Sequence, residues 1–472
     1  MLGILKQGSG ASLGPAAPTP LTGFGLAFED QRGARIPQRP EQTFPGSYKL
    51  WNPGTNHPQR SPYLSTRGND INSKRGFSQE GFANYAANKY DEEKNPSGII
   101  NLGVSENKLC FDLLSNRVSI ALVLWLLGLL MCLCYSLREE IARFLTYYGK
   151  APTRLKPENV MARLGVDDVF SPPASEAFLI PTPFYGGISD DVYYYGNVQL
   201  VYAHLDSKVR TGTNTRPFQL TVEKLEMALW KARREGVSVR GLILINPHNP
   251  LGDIYSPAEL LEYLEFAKRY QLHVIMDELY MLTVFDESVT FHSVLSIDKL
   301  PDPQRTHVVW GTSKDFGISG IRFGALYTEN KDVSSAVTNL CYFHGISGIT
   351  QYQMAQLLSD HDWIDQVYLP TNRLRLKAAH TYVTDELKTL GIPFLNRNSG
   401  LYVWIDLRKY LRRGTFEEEL LLWCRFLRHK VLLSNGKSFQ CFEPGWFRII
   451  FTDKMHRLQL GEQGQLLSPF VT

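Results

Sequence analysis

A chain of 472 residues is too long for one compact core and suits a large enzyme domain with a smaller companion. Its 43% hydrophobic and 21% charged residues are ordinary for a globular protein, and a net charge of +3 offers no electrostatic basis for nucleic-acid binding. The six cysteines have neither metal-ligand spacing nor the density of a disulfide framework. We therefore expect no metal site and no nucleic-acid partner. The cysteine usage and the absence of a signal-peptide core in the opening MLGILKQGSG predict a reducing, cytoplasmic compartment.

The N-terminal region is rich in Gly, Pro and polar residues, as in GSGASLGPAAPTP. Such a stretch buries too little apolar surface to offset the entropy of an ordered chain. We predict that residues 1–84 are disordered, that the folded domain spans residues 85–460, and that residues 461–472 form a tail.

An uncharged apolar run, VSIALVLWLLGLLMCLCY, occupies residues 118–135. At helical rise this run spans roughly 27 Å, close to the roughly 30 Å hydrocarbon core of a bilayer. It is therefore long enough for a membrane span. A buried helix is the rival interpretation, although a helix that is apolar all round presents no polar face to solvent.

Short apolar runs alternate with amphipathic helices from residue 176 onward. The runs are β-rich and end in turn or polar residues, which predicts buried strands in EAFLIPTP, NVQLVYAHL, GLILINP, LHVIMDE and THVVWGTS. Between them, Ser256 and Glu259 form a predicted capping box, and Gly236 ends the helix in TVEKLEMALWKARREG. This alternation predicts a mainly parallel sheet covered on both faces, with ligands beyond the carboxyl ends of its strands.

The order of elements changes after about residue 345. Helical patterns precede the strand-like SGLYVWIDL, and the helix FEEELLLWCRFLRHK and the strand WFRIIF follow it. This order predicts a second, smaller α+β domain.

Four segments place polar residues at the ends of predicted strands or late in the second domain: NPHNPLG (246–252), DELY (277–280), TSKDFGISGIRFG (312–324) and PGWFR (444–448). Each segment alone is a weak signal. Together and in this order they resemble the fold-type I pyridoxal-phosphate enzymes of the class I/II aminotransferase family, most closely the 1-aminocyclopropane-1-carboxylate synthase-like branch. Further matching segments are NPSGIINLGVSENKLCFDLL, LREEIARFLTYYGKAP and AFLIPTPFYGG.

The resemblance implies an α/β fold of the fold-type I class. A large domain with a mainly parallel sheet flanked by helices is expected over about residues 150–344. A smaller α+β domain is expected from about residues 95–114 together with residues 345–460.

The resemblance also implies roles for residues around a pyridoxal 5′-phosphate ring. Lys314 would form the Schiff base and then act as general acid/base on the substrate α-carbon. Asp277 would keep the pyridinium nitrogen protonated, which makes the ring an electron sink. Tyr280 and Asn249 would hydrogen-bond the 3-hydroxyl oxygen, and Tyr185 would stack on the ring face.

On the phosphate side, the resemblance assigns binding to Arg322, with Ser313 as a further hydroxyl donor. The position three residues before the lysine is often Ser in relatives and is Gly311 here, so one phosphate contact is expected to be lost. If Tyr185 does not stack on the ring, Phe184 is the alternative.

Two further residues are expected to contact the substrate. Arg448 would bind the α-carboxylate through a two-pronged guanidinium, and Glu106 matches a glutamate that lies by the substrate in this branch. The expected substrate is an α-amino acid, processed by transamination or by synthase-type elimination. The family also implies a homodimer with composite sites.

Two stretches depart from the family. The apolar insert over residues 115–136 replaces a stretch that carries a tyrosine reaching the partner subunit's cofactor phosphate. Residues 161–175, MARLGVDDVFSPPAS, replace the small-residue turn and helix start that cradle the phosphate in relatives. Pro172 and Pro173 oppose a helix there, and the nearby aspartates would repel a phosphate. Losses on both sides of an intact block favour alternative or mis-joined exons.

These departures leave two function classes open. The chain is either an active pyridoxal-phosphate enzyme or a catalytically weak homologue with a binding or regulatory role. A membrane span at residues 118–135 would separate Glu106 from Lys314 and Arg448, so we favour a foreign insert in a soluble ancestor. Membrane association through that run is the alternative location.

Overall fold

The computed structural model describes residues 77–119, 133–163, 176–196, 198–208, 216–341 and 345–459. Within them the strands are β1 (Ile100–Asn101), β2 (Val160–Arg163), β3 (Glu176–Thr182), β4 (Gln199–His204), β5 (Ser238–Ile245), β6 (His273–Asp277), β7 (Thr306–Gly311), β8 (Gly324–Thr328), β9 (Phe394–Leu395), β10 (Tyr402–Asp406), β11 (Val431–Leu432), β12 (Ser434–Asn435) and β13 (Trp446–Ile450).

The α-helices of the described residues are α1 (Phe77–Ala87), α2 (Phe111–Ser119), α3 (Leu133–Tyr148), α4 (Gly187–Gly196), α5 (Val222–Arg234), α6 (Pro257–Arg269), α7 (Thr312–Asp315), α8 (Lys331–Cys341), α9 (Gly348–Ser359), α10 (His361–Trp363), α11 (Leu369–Thr389), α12 (Phe416–Arg428) and α13 (Met455–Gln459). A π-helical turn, Ile364–Tyr368, joins α10 to α11. Short 3-10 turns lie at Pro157–Asn159, Val294–Ser296, Pro303–Arg305, Ser319–Ile321, Arg408–Tyr410 and Gly436–Phe439.

Seven strands form one mixed sheet in the order β2-β8-β7-β6-β5-β3-β4. The pairs from β7 through β4 are parallel, whereas β8 runs antiparallel to both β7 and β2. All five apolar runs predicted as strands after residue 176 belong to this sheet, so the mainly parallel sheet is confirmed.

The sheet is apolar on both faces, as its covering helices require. In β5, Leu242 and Leu244 join one core cluster, whereas Ile243 and Ile245 join another. Successive side chains of a strand point to opposite faces, so the alternation between the clusters shows that both faces are buried. This explains why the strands read as continuous apolar runs.

Helix α6 begins with the predicted capping box. The Ser256 hydroxyl accepts from the Glu259 backbone N–H at 3.2 Å, and the Glu259 carboxylate accepts from the Ser256 backbone N–H at 2.9 Å. Two N–H groups that the helix cannot satisfy internally are thereby bonded.

We expect Ser256→Ala to lower the free energy of unfolding by about 1 kcal/mol, because it removes one side of this reciprocal cap. Urea unfolding followed by far-UV circular dichroism measures the change. Glu262→Ala, on an exposed turn of the same helix, is the control and should change stability far less. Equal effects of the two variants would contradict the capping role.

The later part of the chain forms a second, antiparallel sheet in the order β12-β13-β10-β9. A separate parallel pair joins β1 to β11, with Ile100 opposite Val431. The segment around residue 100 therefore pairs with the C-terminal part of the chain. These pairings accord with the predicted division into residues 150–344 and residues 95–114 plus 345–460, which stays a prediction.

Helix α1 begins inside the region predicted to be disordered, so that prediction is wrong for residues 77–84. At Gly81 a Cβ atom would lie 2.8 Å from both Leu432 and Trp423, which shows how closely the helix backbone approaches that core. Tyr85 adds a partly buried ring to the same cluster. The helix is therefore stabilised by contacts distant in sequence, which composition alone does not reveal.

The two atypical stretches are only partly described. Helix α2 includes the first residues of the apolar run, helix α3 includes its last residues, and residues 120–132 lie outside the described residues. Of segment 161–175, only residues 161–163 are described, as the end of β2. None of the helices that the structure describes has the length and apolar character that a membrane crossing requires.

Candidate active site

The parallel strands bring the predicted chemistry to one edge of the large sheet. Strand β6 ends at Asp277, which lies opposite Ile245 of β5 and Val309 of β7. The segment carrying Asn249 follows β5, and α7 with Lys314 follows β7. Because neighbouring parallel strands end at the same edge, residues distant in sequence converge there.

Lys314 has the environment of a reactive amine. Its Nζ donates a hydrogen bond to the backbone carbonyl of Ser105 at 2.6 Å. Burial and the nearby Arg448 guanidinium lower the pKa of Lys314 to about 8, although Glu106 and Asp277 oppose the shift. A substantial fraction of the amine is therefore neutral, and nucleophilic, near physiological pH.

Tyr280, Asn249 and Arg448 form one buried network. The Asn249 amide donates to the Tyr280 hydroxyl at 3.3 Å, and Arg448 Nη1 donates to Asn249 Oδ1 at 2.8 Å. Burial raises the pKa of Tyr280, so its hydroxyl keeps its proton at neutral pH. The three predicted residues are thus brought together and fix one another's orientation.

Arg448 lies on β13 and is 3% exposed. Its Nη2 donates to the Gly103 carbonyl at 2.7 Å, while Nε is buried without a hydrogen-bond partner. The rings of Phe439 and Tyr402 lie 4.7 and 5.4 Å from the guanidinium carbon. A fixed, buried guanidinium with an unused donor is suited to bind a carboxylate.

The two acidic residues of DELY have different surroundings. Asp277 is half-buried, and its Oδ1 accepts from the Leu279 backbone N–H at 3.1 Å. Glu278 is fully buried and accepts from the Ser293 hydroxyl at 2.6 Å and the Val294 backbone N–H at 2.8 Å. Burial raises the pKa of Glu278 to about 7. Glu278 thus holds the loop at Ser293, whereas Asp277 lies at the end of β6, where the candidate site residues converge.

The predicted phosphate-side residues lie next to the lysine. Arg322 is exposed, has a φ of 56°, and donates to the Ser319 carbonyl at 3.0 Å. Ser313 is part-buried in α7. At Gly311 a Cβ would lie 2.8 Å from the Phe323 carbonyl oxygen, so the serine that the family resemblance implies there would not fit without a backbone shift.

The two candidates for ring stacking follow β3 and differ in exposure. Phe184 is fully buried in the core, whereas Tyr185 is 47% exposed. A Cβ at Gly187 would lie 2.6 Å from the Tyr185 ring, so the ring covers this glycine closely. Of these two aromatic residues, Tyr185 is the one that is accessible, and its stacking on a bound ring stays a prediction.

Glu106 is held at the site by a residue that the sequence did not single out. The Ser319 hydroxyl donates to Glu106 Oε1 at 3.0 Å. The carboxylate is part-buried, and its negative charge opposes the lowering of the Lys314 pKa. Glu106 is therefore brought to the lysine, although it lies before the apolar run in the chain.

The sequence did not predict three groups that contact the site residues: the Gly103 carbonyl, Ser105 and Ser319. Gly103 and Ser105 closely precede Glu106 within the matching GVSENK segment, and Ser319 lies within TSKDFGISGIRFG. Their proximity to predicted residues was the only available signal, because their roles depend on contacts with distant elements.

The described residues fit pyridoxal 5′-phosphate on its ring side. They provide a partly neutral amine at Lys314, a carboxylate at Asp277, and a protonated phenol beside an amide at Tyr280 and Asn249. On the phosphate side, Ser313 and Arg322 supply a hydroxyl and a cation. The donor set thus matches an aldehyde cofactor with a basic ring nitrogen and an anionic oxygen.

Comparison with known proteins identifies the family. Residues 133–459 match the family model described as aminotransferase class I and II. The 1-aminocyclopropane-1-carboxylate synthase-like protein 1 of Bos taurus is 60% identical over 439 residues, which cover 90% of this chain and 87% of the relative. A Homo sapiens relative, named probable inactive 1-aminocyclopropane-1-carboxylate synthase-like protein 2, is 59% identical over 84% of this chain and 72% of its own length.

The fold also matches a solved structure. A double mutant of Thermus thermophilus aspartate aminotransferase superposes with a TM-score of 0.66 at 16% identity, covering 85% of this chain and 98% of that chain. The predicted fold type is confirmed by this fold, and the family match confirms the predicted cofactor, pyridoxal 5′-phosphate. The chain belongs to the class I and II aminotransferase family and is similar throughout most of its length to 1-aminocyclopropane-1-carboxylate synthase-like proteins.

Proposed function

We propose that this chain is a pyridoxal-phosphate-dependent enzyme that acts on an α-amino acid through Lys314. The observation that carries the proposal is the part-buried Lys314 amine, hydrogen-bonded to the Ser105 carbonyl and with its pKa lowered to about 8, beside the Tyr280–Asn249–Arg448 network. A structural lysine at the surface would need neither this burial nor this network. When bound, the cofactor supplies an electron sink for the amino acid.

The protein groups would then act as follows. Lys314 Nζ would hold the cofactor and would move the proton of the substrate α-carbon. Asp277 keeps the proton on the ring nitrogen, since a carboxylate stabilises the adjacent positive charge. Tyr280 and Asn249 donate to the ring's anionic oxygen.

The remaining predicted residues would bind the two ends of the substrate, and the phosphate and ring face of the cofactor. Arg448 binds the α-carboxylate of the substrate, and Glu106 faces its other end. Ser313 and Arg322 bind the phosphate, while Tyr185 stacks on the ring. The protein would work as a homodimer in the cytoplasm, as its family resemblance and its composition led us to expect.

Two reactions fit these groups, transamination and lyase chemistry of the 1-aminocyclopropane-1-carboxylate synthase type. Incubation of the loaded protein with S-adenosylmethionine, or with an amino acid and a keto acid, separates them. Release of methylthioadenosine identifies the lyase, and amino-group exchange identifies the aminotransferase. Absence of both products would count against an active enzyme with either specificity.

A second candidate function is a catalytically weak homologue with a binding or regulatory role. It is favoured by residues 161–175, where two prolines and two aspartates replace the helix start expected to cradle the phosphate. One relative is also named probable inactive. Loss of several charge-assisted hydrogen bonds, each worth roughly 1.5–3 kcal/mol, would weaken cofactor binding by orders of magnitude.

The rate of covalent cofactor attachment should depend on pH through Lys314. Only the neutral amine attacks an aldehyde, so the rate should rise about tenfold per pH unit below pH 8 and level off above it. The measurement is the rate at which the near-visible absorption band appears between pH 6.5 and 9.5, with Nα-acetyl-lysine as the reference amine. A rate that keeps rising to pH 9.5, as for an unperturbed lysine, would contradict the lowered pKa.

A membrane-anchored variant is the remaining alternative. Fractionation of the tagged full-length chain, with and without residues 118–135, tests it. We expect both forms in the soluble fraction, and carbonate-resistant membrane association that requires residues 118–135 would contradict this.

A further inference from the structure

Ser105 lies between two of the proposed catalytic groups. It is 5% exposed, and its Oγ is 3.1 Å from the Tyr280 hydroxyl oxygen. Its carbonyl oxygen accepts the hydrogen bond from Lys314 Nζ at 2.6 Å. One residue therefore contacts both the amine and the phenol expected to act on the cofactor.

The backbone around Ser105 is fixed on both sides. The Asn101 side chain accepts from the backbone N–H groups of Gly103 and Val104 at 2.9 and 3.1 Å. The Gly103 carbonyl also accepts from Arg448, and the Glu106 carboxylate accepts from Ser319. This loop is therefore held in place before and after Ser105, so the Ser105 hydroxyl has a defined position beside Tyr280.

The direction of the Ser105–Tyr280 hydrogen bond decides what it does. A tyrosine hydroxyl has one proton to donate and two lone pairs that accept. The Asn249 amide already donates to the Tyr280 oxygen. If Ser105 also donates, both lone pairs are engaged and the Tyr280 proton is left for a third group.

We propose that Ser105 is a positioning residue whose hydroxyl donates to Tyr280 and so directs the Tyr280 proton to the anionic oxygen of the bound ring. This inference rests on the proposed function. A phenol that accepts a hydrogen bond becomes a better donor, because hydrogen bonds in a chain polarise one another. Ser105 would thereby strengthen the contact that Tyr280 makes with the cofactor without touching the cofactor itself.

The effect is measurable as a shift in the pH at which the near-visible band of the loaded protein changes from its protonated to its deprotonated form. Donation to the ring oxygen stabilises the deprotonated form. Ser105→Ala should therefore raise the midpoint by about half a pH unit. The charged groups that act on Lys314, namely Arg448, Glu106, Asp277 and Arg322, are unchanged in this variant.

Three further variants make the experiment decisive. Ser105→Thr keeps the hydroxyl and should keep the original midpoint. Thr384→Val removes a buried hydroxyl that bonds only within helix α11 and should leave the midpoint unchanged. In a Tyr280→Phe background, Ser105→Ala should cause no further shift, because the group through which it acts is gone.

The outcomes separate this inference from the proposed function. An upward shift in Ser105→Ala that disappears in the Tyr280→Phe background supports the positioning role. A downward shift would show that Tyr280 donates to Ser105, and an unchanged midpoint would show that the hydroxyl has no influence. Either result overturns the inference while the band itself still supports the enzyme. Absence of any band in the unaltered protein overturns both.

Discussion

Replacing Lys314 with alanine is expected to abolish the near-visible absorption band that forms when pyridoxal 5′-phosphate is added to the protein. The band requires a covalent bond between the aldehyde and an amine, and the Lys314 amine is the one that the site holds near Asp277 and Arg448. Turnover of an amino acid should fall by about 10²–10⁴-fold or more, because the same amine moves the substrate proton. Absorbance titration and a product assay measure the two effects.

Lys331→Ala is the matched control for this prediction. Lys331 is also in contact with the folded protein, through a 2.9 Å hydrogen bond to the Asn159 side chain, but it lies on helix α8, outside the site. The control should keep both the band and the activity. If Lys314→Ala kept the band, another lysine would be the point of attachment and the assignment would be wrong.

Replacing Arg448 with lysine is expected to raise KM for the amino acid by about 10–100-fold. A lysine has one ammonium group and does not reproduce the planar fork that binds both carboxylate oxygens, a difference of roughly 1.5–3 kcal/mol. It would also leave the Asn249 amide oxygen and the Gly103 carbonyl without the donors they have now. Steady-state kinetics with increasing amino acid, together with the band titration, separate substrate binding from cofactor binding.

Arg375→Lys is the control because Arg375 also forms a two-pronged contact, with Asp112, but at a partly exposed position. Exposed ion pairs contribute little, so KM should stay nearly unchanged. An unchanged KM in Arg448→Lys would show that the substrate carboxylate binds elsewhere.

The fold was largely predictable because its signals are local. The five runs after residue 176 are short, β-rich and apolar and end in polar residues, which predicted the strands of a mainly parallel sheet. Burial on both faces holds for the central strands, whereas β4 lies at the edge of the sheet and is mostly only part-buried. The capping box at Ser256 and Glu259 marked the start of α6 for the same reason, since both residues act within one turn. Local hydrophobic pattern and helix-end chemistry determine these elements.

The parts that escaped prediction depend on contacts between distant segments. Helix α1 is stabilised where Gly81 meets Trp423 and Leu432, and nothing within residues 77–87 indicates that partner. Ser105 reaches Tyr280 across 175 positions of sequence. A hydroxyl next to a predicted glutamate has no recognisable role until the fold places a phenol beside it.

Gly311 shows that the reason for a departure from the family can also depend on contacts that the sequence does not reveal. From the sequence it was only a missing phosphate contact. In the structure a Cβ at this position meets the Phe323 carbonyl oxygen, so the backbones of β7 and β8 approach too closely for a serine. The loss of that contact is thus linked to the local packing of the strands.

Reduction of the loaded protein with borohydride, followed by peptide mapping, tests the central claim most directly. Reduction makes the bond between cofactor and lysine permanent, so mass spectrometry locates it. We expect one phosphopyridoxyl group, on the peptide that contains Lys314. Modification of a different lysine at saturating cofactor, or of none, would contradict the assignment of Lys314 as the catalytic amine.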